Sequence, residues 1–151
     1  MPCAAAHALR DLDGLIAQLD EQAALEESRG TSAHKHWTAR RHKRYAYRVD
    51  CKVRIYCAGA ERPIELPGRT RNLSCGGVGL LIRRVFVVNE PVEVEIPRHG
   101  QPTLFMVGLV RFCRYVGQGY HEIGVELRKA GNAPIFPKTF SGAQEILKWL
   151  Q

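Results

Sequence analysis

The chain has 151 residues, 45% of them hydrophobic, and a formal net charge of +7. This length supports one globular domain with short appendages rather than two full domains, and the composition allows a core. No stretch approaches the ~20 consecutive apolar residues that cross a bilayer, and the N-terminus, with Arg10, Asp11 and Asp13 entering early, lacks the order of a secretory signal, so a soluble cytoplasmic protein is expected.

In chain order, residues 4–28 predict a helix. Ala5, Leu9, Leu12, Ile16, Leu19 and Ala23 recur in alternating steps of four and three, a heptad seam on one face. That seam can dock on the protein's own sheet or pair with a second copy as a homodimer. Gly30 marks the stop, which gives an N-terminal helical segment over 1–30. Residues 31–47 are polar, basic and aperiodic, and read as a linker. Between Lys35 and Arg54 stand eight Lys or Arg and a single acid, Asp50, so this block carries the whole net charge of +7. So local an excess points to a phosphate-bearing partner or to a solvated arm.

From Arg48 the period changes to two. Val49, Cys51, Val53, Ile55 and Cys57 alternate with charged residues and Tyr56, as on a half-buried strand. Further strands are predicted over 68–74, 78–82, 92–96, 104–115 and 120–127, separated by Pro, Gly and Asn turn signals. Six such strands predict a mainly β protein, a closed six-stranded antiparallel barrel over 48–130, because closure removes unpaired edges. The tail 131–151 carries a short C-terminal helix over 141–150, with Ser141 as N-cap and Ala143, Ile146, Leu147 and Leu150 on one face.

The five cysteines are scattered without a CxxC spacing, so neither a disulfide framework nor a zinc site is indicated, and Cys51 and Cys57 read as small buried thiols. His34 and His36 have no suitably spaced acid or thiol and read as solvated, so no metal is expected. Nucleophile elbow, Walker loop, dinucleotide glycine pattern and HExxH are all missing, and no pair of acids is placed for acid–base work. No enzyme and no catalytic residue is expected.

Two stretches remain: Arg44-Tyr45-Ala46-Tyr47-Arg48, at the entry to the first strand, and Asn72-Leu73-Ser74-Cys75-Gly76-Gly77, between the second and third. In order, residue type and strand context they resemble the two-part signature of the PilZ family, RxxxR followed by [D/N]xSxxG. Gly77-Val78-Gly79-Leu80 and Ile123-Gly124-Val125-Glu126-Leu127 are similar to that family's third and last strands. The resemblance covers residues 43–128 and implies a receptor for cyclic di-GMP, with no cofactor beyond that ligand and an unidentified effector protein as partner. It implies ligand contacts from Arg44, Arg48, Asn72, Ser74, Gly76 and Gly77.

The chemistry suits that ligand. A guanidinium fork meets the O6 and N7 acceptors of guanine, pairs with phosphate, and stacks on a base. Asn72 and Ser74 stand two apart on a strand and so share a face. Asn accepts from guanine N1–H and N2–H without the charge assistance of the commoner Asp. Gly77 would let a base approach the backbone. Lys43 stands where many members carry Arg, and supplies charge without a fork. Arg40 and Arg41 could substitute, which leaves open whether one ligand or a stacked pair binds. Arg40 and Arg44 also satisfy RxxxR; Arg44 and Arg48 are preferred because Val49 opens the strand directly after them. On binding, the ligand is expected to order the basic segment and so reposition the helix. Two other readings stand beside this one. A basic barrel with Trp37, Tyr45 and Tyr47 could bind nucleic acid, the less favoured class; a PilZ-like adaptor could act by protein contacts alone.

Overall fold

The computed structural model describes residues 3–28, 43–57, 62–136 and 150, with side chains of the first segment from Leu12 to Leu25. Outside the described residues lie Arg40, Arg41, His34, His36, Trp37 and all of the expected C-terminal helix except Leu150. The chain forms two compact units, Met1–Lys43 and Arg44–Gln151.

In the first unit α1 runs from Cys3 to Ser28, as the heptad spacing predicts. Along the seam Leu12 and Ile16 are buried, as is the neighbouring Leu15. No described helix is long and apolar enough to cross a membrane.

The second unit is built from β1 (Tyr45–Ala46), β2 (Asp50–Ile55), β3 (Ile64–Ser74), β4 (Gly77–Ile82), β5 (Pro91–Arg98), β6 (Gln101–Gly117) and β7 (Tyr120–Gly131). The order β3-β2-β5-β6-β7-β4 returns to β3, so six antiparallel strands close a barrel, and β1 adds to the end of β3. The extra strand falls where composition alone reads as linker, because two residues are too few to show a period. The second predicted strand also begins earlier, at Ile64.

Alternation sets the inner face. Cys51, Val53 and Ile55 of β2, Val78, Leu80 and Ile82 of β4, Val92, Val94 and Ile96 of β5, and Ile123 and Val125 of β7 form the barrel core. A second cluster lies apart from it, where Tyr56, Val107, Leu109, Phe136 and Leu150 pack together. Its polar anchor is Glu93, fully buried on β5. The carboxylate accepts Ile135 N at 2.6 Å and Phe136 N at 2.8 Å, and Arg54 Nη1 at 3.1 Å. Arg54 also pairs with Glu65 and Glu95. Burial, then the Glu93 charge, raises the Tyr56 phenol above its ordinary value.

Cys51 is buried as its period predicts, while Cys57 is only partly so. Burial, helped by the Asp50 carboxylate and opposed by Arg69, pushes the Cys51 thiol from 9.0 up to about 12. The folded chain therefore keeps a proton that the unfolded chain gives up, and the stability present below about pH 9 is lost as pH rises to about 12. Denaturant unfolding across that window should show a shallower decline for Cys51→Ala than for the parent chain; equal slopes would contradict the shift.

Candidate functional site

The site begins with Thr70, a fully buried hydroxyl on β3. Its Oγ1 donates to Tyr47 O at 2.5 Å and accepts Val49 N at 2.9 Å, while Thr70 N donates to Val49 O and Tyr47 N to Arg71 O. One side chain thus pins the segment entering β2 onto β3. Tyr47 and Val49 pack against the barrel core, which places Arg48 in the opposite, outward phase. Next to this anchor Ala46 pairs with Asn72 and Tyr45 with Leu73, so the register continued by one residue sets Arg44 opposite Ser74. Arg44 and Arg48 are both exposed, as is Lys43. Tyr45 is exposed too, but Tyr47 turns its ring to the core and its hydroxyl donates to Pro97 O at 3.3 Å.

Asn72 and Ser74 share the outer face, as their spacing predicts. A β-bulge between Thr70 and Asn72 lets Leu73 face the core while its two neighbours face out. Across the sheet Asn72 pairs with Gly79, Gly79 with Gly124, and Gly124 with Phe112. A Cβ on Gly79 would stand 2.6 Å from Asn72 Oδ1, and one on Gly124 2.3 Å from Phe112 Cε1. The amide and the ring therefore lie low over two bare backbones, forming a flat floor.

The turn after β3 holds itself. Ser74 Oγ accepts Gly76 N at 3.1 Å, and Gly76 O accepts Leu127 N at 2.8 Å. Gly77 has a reason of its own to lack a side chain: a Cβ there would stand 1.9 Å from Val125 O. The close approach of β7 suffices to require glycine, and no base need approach it. Cys75 at the tip is exposed.

Three charged residues that the motifs do not include join this face. Glu122 of β7 is 3% exposed and pairs with Arg71 of β3 and Arg114 of β6. The bulge re-aims Arg71 outward, where its length spans the strand between. Simple alternation hides this: counted in twos from Asn72, Arg71 belongs inside. Among the described residues no cluster of three or more His, Cys, Asp or Glu could hold a metal ion. The face gathers guanidinium groups, an amide and a hydroxyl around a flat floor, a surface suited to a planar, anionic ligand.

A family model described as PilZ domain matches residues 38–133. Among solved structures the chain is similar to the Bacillus subtilis inhibitor of motility (MotI/DgrA), at 14% identity and a TM-score of 0.47, over 74% of this chain and 49% of that one. The chain thus spans about half of that protein's length. No curated protein matches it.

Proposed function

Because this chain belongs to the PilZ domain family, we propose that it is a cyclic di-GMP receptor that catalyses no reaction and signals to a partner protein through the basic segment preceding Arg44. One observation carries the reading: the β1–β3 register, with Tyr45 opposite Leu73 and Ala46 opposite Asn72, lays the segment between Arg44 and Arg48 along the strand that carries Asn72 and Ser74, and Thr70 pins it there. In this proposal the two arginines take the phosphates and the O6/N7 edge of one guanine. The Asn72 carbonyl accepts from N1–H and N2–H of the other guanine, and the Ser74 hydroxyl bonds the attached phosphoribose. Gly76 and Gly77 keep the turn close under the ligand.

Calorimetric titration tests this. Cyclic di-GMP should bind saturably, more tightly than linear pGpG or GMP, and the same curve gives the stoichiometry. Loss of one charge-assisted contact in Arg44→Ala should weaken binding by about tenfold or more, with thermal unfolding unchanged. Ser74→Ala should weaken it less. The proposal fails if no heat develops, or if a single-stranded oligonucleotide binds as tightly with a steep salt dependence.

A further inference from the structure

Arg114 makes an unusual pair for an exposed arginine. Its side chain is 56% exposed, yet the side chain of its partner Glu122 is only 4% exposed. A carboxylate so deeply buried is costly unless fully paired. Here it is paired twice, since one oxygen accepts from Arg71 Nη1 and the other from Arg114 Nε at 3.1 Å and Nη2 at 2.7 Å.

The geometry of those bonds decides what Arg114 can still do. Nε and Nη2 form the side edge of the guanidinium, and that edge is spent on Glu122. Nη1 makes no hydrogen bond among the described residues, and Nη2 retains its second proton, so the end-on fork of two parallel donors is intact. Surface arginines normally lose side-chain entropy when they engage a ligand. Here the buried acid has already fixed the group.

Its position matters equally. Arg114 lies on β6 two residues from Phe112, whose ring covers Gly124, so it shares the outer face with Asn72. Counted through β4 and β7, β6 lies three strands round the barrel wall from β3, and Glu122 joins the two, since it pairs with Arg71 of β3 and with Arg114 of β6 at once.

We infer that Arg114 is a third ligand-contacting arginine, its end-on fork meeting a two-acceptor edge of the cyclic dinucleotide, and that Glu122 is the positioning residue that aims it. This rests on the cyclic di-GMP reading above. Two edges of the ligand offer that chemistry, O6/N7 of the distal guanine or a phosphate, and cyclic di-AMP separates them because it keeps the phosphates but has an amino donor in place of O6.

The test is titration of the parent chain, Arg114→Ala, Arg114→Lys and Glu122→Gln with both cyclic dinucleotides. Arg114→Ala should bind cyclic di-GMP about tenfold more weakly, measured well below a melting temperature that itself falls because Glu122 loses one of its two partners. Arg114→Lys should not restore binding, because it returns the charge without the fork. Glu122→Gln should weaken binding in the same sense through a misaimed Arg114, and add little further loss in the double variant. A fall in the preference for cyclic di-GMP over cyclic di-AMP assigns the contact to guanine, and an equal fall for both assigns it to phosphate; a purely structural Arg114 would move neither. Parent binding with Arg114→Ala unaffected overturns this inference alone, whereas a parent chain that binds neither ligand overturns the receptor reading along with it.

Discussion

Gly77→Ala is expected to destabilise the barrel severely, whereas Gly79→Ala should leave it folded and damage ligand capture instead. The two glycines sit two residues apart on β4, and what lies above each differs. At Gly77 a Cβ would meet the carbonyl of Val125 at 1.9 Å and its carbon at 3.0 Å. Both are main-chain atoms of the paired strand, so no rotamer change relieves the clash. Strand β4 would have to move off β7, along one of the two seams that hold it in the ring. A forced backbone shift of this kind costs about 3 kcal/mol, a fall of roughly 10 °C in melting temperature for a chain of this size. At Gly79 the obstacle is the end of the Asn72 side chain, 2.6 Å away, which can swing aside. Thermal unfolding with cyclic di-GMP titration distinguishes the two: Gly77→Ala should fail in the first measurement, Gly79→Ala only in the second. A Gly77→Ala protein that melts with the parent would show that β4 has slack there.

The second large effect is expected at Glu93. Its carboxylate is the common acceptor for Arg54 and for the amides of Ile135 and Phe136, and it is fully buried. Removing it leaves two inward-facing amides without their acceptor and takes from Arg54 one of three carboxylates. Breaking a buried charged pair from one side costs about 3 kcal/mol or more. Glu93→Ala should therefore melt well below the parent, with Phe136 and Leu150 losing their seat beside Tyr56. Glu93→Gln keeps an oxygen acceptor but gives up the charge, so it should fall between. Ligand affinity at temperatures where Glu93→Ala remains folded should match the parent, since β5 takes no part in the Asn72 face. Equal melting of all three proteins would refute the anchoring role.

Both predictions turn on features that the sequence carries unequally. The alternation of Val49, Cys51, Val53 and Ile55 is a local signal, and it gives β2 its inner face directly. The spacing of Asn72 and Ser74 is equally local. Glu93 and Glu122 are different. Period two places each correctly on an outer face, where an acid ordinarily meets water. Their burial comes from cover supplied by Phe136 in one case and by Arg71 and Arg114 in the other; Phe136 and Arg71 are distant in sequence, and Arg114 lies across the adjoining hairpin. Arg71 is hidden for another reason, because a bulge shifts the phase by one residue without any mark in the composition. Thr70 gives no signal either. A threonine on a strand is ordinary, and only the folded register shows that its hydroxyl fastens the arginine segment.

The ring of strands has a consequence for how the molecule is made. Strands β3 and β4 are joined by a two-residue turn and can pair as soon as both emerge, but Gly79 meets Gly124 only when the last strand arrives. Pairings between distant segments carry the larger loop-closure cost and dominate the folding time of β proteins. The surface shared by Asn72 and Phe112 therefore comes into being only with full closure. A nascent or half-assembled chain offers no such surface, so whatever that face recognises meets only the finished barrel.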